Sequence, residues 1–311
     1  MIRKSCIMLT LVGFLLLLQG VNAISWGIID ATPSTTIAYV ERYGQEEIML
    51  SVSYKPYLIG YMPVYVEVNV VGAPDWLTVV PSPQTFVIKP NEVKDVRILL
   101  KPSRQDIVAG TASTVEIDVA GKIVGAGMFR QVDRAKISFS VGYNPFTIIS
   151  IRSPMPIERT SPDKELPFTI DIVNYGNSRV IVDLTPVESP KEWKYVISPS
   201  QVMIEPKQPG EDTYPYQQVT VTLTSPHGTV ISYHNRWEDF SIQARAKADA
   251  PYYVKQAGGW APSMEERELV NVHTVTAYFL AKNKGFYVPG FDAVFMLLAI
   301  AIVIGLIKKK K

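Results

Sequence analysis

The fold is decided by a stretch that occurs twice, first as Pro74-Asp75-Trp76-Leu77-Thr78-Val79-Val80-Pro81-Ser82 and again as Lys191-Glu192-Trp193-Lys194-Tyr195-Val196-Ile197-Ser198-Pro199-Ser200. Each copy continues into a second apolar run that ends in a proline, Pro90 in the first copy and Pro206 in the second. The tryptophan lies 14 residues before that proline in one copy and 13 in the other. Two copies of one module are the simplest explanation.

The segments around both copies alternate between apolar and polar residues. A period of two predicts strands with one buried face, and the Pro and Gly residues between the runs favour an antiparallel sandwich. Outside the two ends of the chain, no stretch shows a convincing helical period. The predicted strands include residues 48–54, 64–70, 96–100, 115–119, 137–141, 168–172, 180–184, 219–223, 240–242 and 270–280.

A short polar motif, Asn174-Tyr175-Gly176-Asn177, precedes the second tryptophan. With the Trp, the Pro and the Val-rich strand that follow, it resembles the immunoglobulin-like modules of archaeal and bacterial surface proteins, the NPCBM-associated and CARDB-like groups. The first copy departs from this pattern, since it has only Gly72 before its Trp. We expect the motif to supply positive-φ residues for a tight turn, and Trp76 and Trp193 to be core aromatics.

The first 23 residues are predicted to be a secretory signal peptide. Arg3 and Lys4 precede an apolar core, and Val21-Asn22-Ala23 forms a small-residue cleavage site with Ala23 last. The alternative is an uncleaved anchor. The single cysteine, Cys6, lies inside this segment, so the predicted mature chain has no disulfide and no thiol chemistry.

The carboxyl end is predicted to be a membrane anchor. A short linker, 282–292, contains Pro289-Gly290-Phe291; residues 293–307 are apolar or Gly, and residues 308–311 are lysines. A helix over 293–307 is short for a bilayer core of about 30 Å, but it spans if the lysine stems reach outward. Lysines after the apolar run place the preceding chain outside the cell.

This arrangement resembles the archaeal PGF-CTERM sorting signal. The resemblance implies that an archaeosortase recognises Pro289, Gly290 and Phe291, removes the tail, and attaches the new end of the chain to a membrane lipid. The alternative is a plain single-span anchor in which Pro-Gly makes the turn into the helix.

The predicted fold class is therefore all-β, with two tandem immunoglobulin-like antiparallel sandwiches and a C-terminal transmembrane helix. The boundaries are a signal peptide at 1–23, a first domain at 24–143 and a second domain at 144–281. They continue with the linker at 282–292, the helix at 293–307 and a cytoplasmic lysine tail at 308–311.

Neither composition nor motifs indicate catalysis. His227, His234 and His273 lack the spacing of a metal site, and the chain contains no nucleophile elbow or phosphate-binding glycine loop. Without the charges of the signal and tail, the ectodomain is slightly acidic, which argues against nucleic acid as a partner. The prediction is a protein without enzymatic activity, metal or cofactor.

Aromatic side chains concentrate in predicted loops near the end of the second domain. Aromatic residues on loops of a rigid sandwich commonly bind sugars or protein partners, and the alternative is that they pack the insertion onto the sandwich. The candidate binding residues are Tyr233, Arg236, Trp237, Tyr252, Tyr253 and Trp260.

The sequence thus predicts a membrane-anchored extracellular protein of the cell envelope, with a structural or interaction role in a surface layer or in adhesion. The bilayer, an archaeosortase and envelope proteins are the expected partners. Two alternatives stay open: an accessory ectodomain subunit of a membrane transporter or secretion complex, and a carbohydrate-binding surface module.

Overall fold

The computed structural model describes residues 25, 27–57, 62–123, 131–226, 236–267, 271–283, 295 and 297–302, with the backbone alone at 131 and 236. The signal peptide and the Pro289-Gly290-Phe291 motif predicted above lie outside the described residues.

The first domain is a sandwich of two β layers. One layer has the strand order β1-β3-β7-β5, and the other has the order β2-β9-β8-β4-β6. In the described part of this domain the strands are β1 (Gly27–Pro33), β2 (Ile37–Val40), β3 (Glu46–Pro56), β4 (Val64–Gly72), β5 (Leu77–Ser82), β6 (Thr85–Ile88), β7 (Val93–Pro102), β8 (Ala112–Ile123) and β9 (Gln131–Tyr143).

The second domain repeats this arrangement. Its layers have the orders β10-β12-β16-β14 and β11-β20-β17-β13-β15. Its described strands are β10 (Ile149–Arg152), β11 (Ile157–Thr160), β12 (Glu165–Asn174), β13 (Val180–Glu188), β14 (Lys194–Ser198), β15 (Gln201–Ile204), β16 (Tyr216–Thr224), β17 (Arg236–Ala248), β18 (Tyr252–Gln256), β19 (Gly259–Ser263) and β20 (Val272–Asn283).

The two domains match strand for strand once the hairpin formed by β18 and β19 is set aside. In both, the second strand pairs in parallel with the last strand, while most other pairs are antiparallel. In each domain a four-strand layer faces a layer in which the last, penultimate and fourth strands lie side by side. This is the immunoglobulin arrangement. The structure therefore supports the duplication indicated by the repeated tryptophan stretch.

The alternating pattern explains why these segments form strands with one buried face. In β3, Ile48, Leu50, Val52 and Tyr54 are buried, whereas the residues between them face outward. Each domain has its own cluster of buried apolar side chains. Trp76 is 6% exposed and Trp193 is 8% exposed, which confirms the prediction that both are core aromatics.

The sheet organisation corrects the prediction of two simple sandwiches in two respects. First, β1 pairs with β3 on one side and with β9 at Ile28 and Asp133 on the other, so the two layers of the first domain are hydrogen-bonded to each other. Second, β18 and β19 form an additional two-stranded sheet inside the second domain. The sequence pattern misses both, because neither a strand that bridges two layers nor a short hairpin requires a long alternating run.

The carboxyl end is described only in part. Phe295 and residues 297–302 are helical, and their apolar side chains are exposed. Among the residues that the structure describes, none belongs to a helix with the length and apolar composition needed to span a bilayer.

Candidate functional site

The most elaborate polar and aromatic arrangement in the described chain is the junction between the two domains. The first domain ends with β9 at Tyr143, and the second begins with β10 at Ile149. The backbone N–H of Asn144 donates to the carbonyl of Val40 at 3.0 Å, which holds the connection against β2. The connection is therefore hydrogen-bonded to the first domain, unlike a solvated flexible linker.

The side chain of Asn177 bonds both to this connection and to the first domain. Its Nδ2 donates to the carbonyls of Ile107 at 3.0 Å and Asn144 at 3.1 Å, and its Oδ1 accepts the backbone N–H of Phe146 at 2.7 Å. The side chain is only 4% exposed. One amide group from the second domain thus bonds to the first domain and to the connection at the same time.

The rest of the Asn174-Tyr175-Gly176-Asn177 motif holds Asn177 in place. Asn174 is fully buried; its Nδ2 donates to the carbonyl of Ser178 at 2.9 Å, and its Oδ1 accepts the N–H of Gly176 at 2.8 Å. The expectation of positive φ angles in this motif is wrong, since none of its four residues adopts one. Gly is required here for another reason: a Cβ on Gly176 would lie 2.5 Å from the carbonyl oxygen of Phe146.

The hairpin of β18 and β19 extends from the second domain back to the first. Tyr252 donates its hydroxyl hydrogen to Glu41 at 2.7 Å, and Lys255 forms an ion pair with Glu46. Asn144 and Tyr253 exchange two bonds, since Asn144 Nδ2 donates to the Tyr253 carbonyl at 2.8 Å and Tyr253 N–H donates to Asn144 Oδ1 at 3.0 Å. These contacts give the joint a second point of attachment.

Aromatic packing accompanies these bonds. The rings of Tyr39 and Tyr253 stack with centroids 3.9 Å apart and planes 6° from parallel, and Trp260 lies 5.7 Å from Tyr39. Trp260 also packs against the core of the first domain. His273, at the start of β20, accepts the backbone N–H of Ile149 on Nδ1 at 3.2 Å. The hairpin is therefore attached by apolar and polar contacts together.

The structure separates the candidate binding residues into two groups. Tyr252, Tyr253 and Trp260 lie at the junction, with their rings against the first domain. Trp237 lies at the opposite end of the second domain. Tyr233 and the side chain of Arg236 lie outside the described residues, as do the predicted processing residues Ala23, Pro289, Gly290 and Phe291.

A cleft of about 260 Å³ opens beside the joint, between the two domains. The Arg42 guanidinium lies 4.5 Å from the centre of the Phe146 ring, and the Lys207 ammonium lies 4.7 Å from that of Tyr214. Tyr175 packs against Tyr214 with centroids 4.5 Å apart. Ring faces next to cations provide the chemistry to bind a ligand with a flat apolar face and an anionic group.

A carboxylate also lines this cleft. The hydrogen bond from the Arg104 guanidinium to Asp106 holds the pKa of that carboxyl below its usual value. Asp106 is therefore ionised throughout the neutral range. Within the described residues, no group of three or more His, Cys, Asp or Glu side chains has the geometry of a metal site.

The tyrosines of the junction predict a pH dependence of stability. Burial, with the nearby Tyr253 as a smaller cause, raises the pKa of Tyr39 to about 12 from an ordinary value of 10.0. Burial, then the bond to Glu41, also raises the pKa of Tyr252. Because the unfolded chain loses these protons first, the stabilisation is complete below about pH 10 and falls as the pH rises toward 12.

Urea unfolding between pH 8 and pH 12 measures this dependence. We expect Tyr39→Phe combined with Tyr252→Phe to flatten the decline above pH 10, because neither substituted ring can ionise. Tyr65→Phe, on an exposed ring of β4, is the matched control. If the free energy of unfolding declined equally in the double variant and the wild type, Tyr39 and Tyr252 would not be the cause of the pH dependence.

Sequence reasoning missed the first-domain half of this site. Tyr39, Glu41 and Arg42 lie in and just after β2, a four-residue strand too short to show a period. The one available signal was Asn144-Pro145, where a buried amide precedes a proline at the predicted boundary.

No protein-family model matches the chain, and no curated protein matches it. Solved structures that are similar include EC22–24 of mouse cadherin-23, at 7% identity, covering 83% of this chain and 67% of that chain with a TM-score of 0.43. The D00-D0 domain of intimin has 10% identity, covers 82% of this chain and 99% of that chain, and has a TM-score of 0.29. Domains 4 and 5 of the S-layer protein SbsC have 11% identity, cover 84% of this chain and 100% of that chain, and have a TM-score of 0.25. The immunoglobulin-like architecture of the chain follows from its strand order.

Proposed function

We propose that this protein is a non-catalytic, extracellular structural component of the cell envelope whose two immunoglobulin-like domains act as one rigid body. The observation that carries the proposal is the double attachment at the junction: the Asn177 bonds on one side and the β18–β19 hairpin on the other. Tandem domains are free to reorient unless the interface between them is extensive, and this interface combines a buried amide, an aromatic stack and an ion pair.

The apolar run at 293–307 supports attachment to a membrane. The described helical residues of this run expose Phe295, Leu297, Leu298, Ile300 and Ile302. A helix that is apolar on all sides needs an apolar environment, and the run is followed in sequence by four lysines. On this proposal the rigid pair stands on the outer surface of the membrane.

A spectroscopic distance measurement tests the rigidity. Since Cys6 is the only cysteine in the sequence, replacing it with Ser and adding single cysteines at the exposed positions Tyr65 and Met203 gives one spin-label pair across the junction. We expect one narrow distance distribution for the full chain in detergent. Replacing the hairpin, residues 251–263, with a short Gly-Ser segment should broaden it.

A label pair within the first domain, Tyr65 with Lys101, is the control for label motion. The proposal would be contradicted if the distance distribution across the junction were as broad in the wild-type protein as in the protein with the replaced hairpin. The hairpin would then not fix the domain orientation.

A further inference from the structure

The outer face of the second domain carries an aromatic and cationic cluster that the junction does not use. Arg159 on β11, Lys282 on β20 and Trp237 on β17 are adjacent in one row across three paired strands. The Lys282 ammonium lies 5.0 Å and the Arg159 guanidinium 5.8 Å from the centre of the Trp237 rings. Both cations therefore lie near one indole.

The next rows on the same face add apolar and aromatic groups. Ile157 pairs with Leu280, which pairs on its other side with Asp239, and Tyr278 lies one row further along β20. Trp237 is 42% exposed and Tyr278 is 70% exposed, and Ile157 is also exposed. We call this surface, formed by Ile157, Arg159, Trp237, Asp239, Tyr278, Leu280 and Lys282, the Trp237 face. Exposed apolar and aromatic side chains that adjoin on one face are typical of a binding surface.

The Trp237 face lies at the end of the second domain that is far from the junction. Trp237 and Ala248 lie at opposite ends of β17, about 36 Å apart at about 3.3 Å per residue. The hairpin that contacts the first domain follows Ala248, so the Trp237 face lies at the end of the second domain away from the first.

The chain leaves the second domain beside this face. β20 ends at Asn283, which pairs with Arg236, next to Trp237. The apolar run begins ten residues later, at Ala293, so full extension allows a separation of about 35 Å at most. Any membrane that holds residues 293–307 is therefore within reach of the Trp237 face.

The chemistry of the Trp237 face suits the headgroup region of a bilayer. Trp and Tyr favour that region because their rings have an apolar body and a polar edge. Exposed cations near an anionic membrane are attracted to its surface. Arg159 and Lys282 lie in the same row as Trp237, whereas the carboxylates lie further along the face: Asp239 in the second row and Glu188, which pairs with Ser241 beside Tyr278, in the third. The positive charge is therefore concentrated at the Trp237 end of the face, where the chain leaves the domain.

We propose that the Trp237 face docks onto the anionic lipid headgroups of the membrane that holds the carboxyl end, with Trp237 inserted at the interface. The proposal rests on the membrane attachment proposed above. Docking tilts the second domain toward the bilayer and, through the rigid junction, sets the direction in which the first domain points.

Tryptophan fluorescence of the full chain reconstituted into vesicles tests the docking. Lipids brominated near the headgroup quench a ring at the interface, whereas the described core rings, Trp76 and Trp193, are shielded. We expect quenching in vesicles that contain phosphatidylglycerol, and we expect Trp237→Phe to remove most of it. Arg159→Gln with Lys282→Gln should weaken it severalfold, whereas Lys122→Gln with Lys136→Gln, on the first domain, should not.

Flotation of the same vesicles separates the two proposals. Protein that fails to float overturns the attachment and the docking together. Protein that floats, but whose quenching is equal in the wild type and Trp237→Phe, overturns the docking alone. Equal quenching in phosphatidylcholine vesicles and in anionic vesicles overturns the role of the two cations. Crosslinking of residue 278 to a second copy of the chain, in place of lipid, would assign the face to self-association and contradict the proposal.

Discussion

Asn177→Ala should destabilise the protein by on the order of 3 kcal/mol and should uncouple the two domains. The substitution removes three hydrogen bonds at a buried position and leaves the N–H of Phe146 and the carbonyls of Ile107 and Asn144 without this partner. A buried polar group that loses its partner costs about 1–3 kcal/mol. Calorimetry should show one cooperative transition in the wild type and two separate transitions in the variant.

Asn69→Ala, on β4 away from the junction, is the control and should leave a single transition. Asn271→Ala removes one bond to the connection, from Nδ2 to the carbonyl of Pro145 at 2.9 Å, and should have a smaller effect. If Asn177→Ala keeps one transition at an unchanged midpoint, the junction does not couple the domains.

Trp76→Ala should cost about 3–5 kcal/mol, since it leaves a large cavity in the first core. The indole packs edge-on against Tyr143 with centroids 5.8 Å apart, and Nε1 donates to Ser113 Oγ at 3.4 Å. Tyr143 is the last residue of β9, so the lost contact also loosens the strand that enters the junction. Urea unfolding measures the loss as a lower transition midpoint.

Trp193→Ala is the matched variant, because Trp193 has the equivalent position in the second copy of the repeat. We expect a loss of similar size, and we expect Trp237→Ala to cost less than 1 kcal/mol because that ring is partly exposed. If Trp76→Ala lost little stability while Trp193→Ala lost much, the prediction would be wrong. The two copies would then share their strand order, but their tryptophans would not contribute equally to stability.

The positions of the long strands were the part of the fold that could be predicted. The runs at 48–54 and 168–172 alternate over enough residues to identify a buried face, and both lie inside observed strands, β3 and β12. The repeated tryptophan indicated two copies, and both tryptophans are in the cores. Strands such as β2, β6 and β15 have four residues each, which is too few for a period to appear.

The candidate site was predicted in part. The aromatic insertion was recognised from Tyr252, Tyr253 and Trp260, and packing of the insertion onto the sandwich of the second domain was one of the two interpretations of those residues. That they pack on the other domain could not be predicted, because Tyr39 and Tyr253 are far apart in sequence and no local pattern links them. The role of Gly176 was missed for a similar reason, since only the position of Phe146 shows why a Cβ is excluded.

The pairing of β20 has a mechanical consequence. Twelve residue pairs join β20 to β17, and four more join it to β11 on the other side. A pull on the chain beyond Asn283, directed away from the first domain, acts along the length of β20 rather than across it. The hydrogen bonds on both sides are then loaded in shear and must break together instead of opening one after another. A domain held in this way transmits tension from its point of attachment to the hairpin and the first domain before it yields.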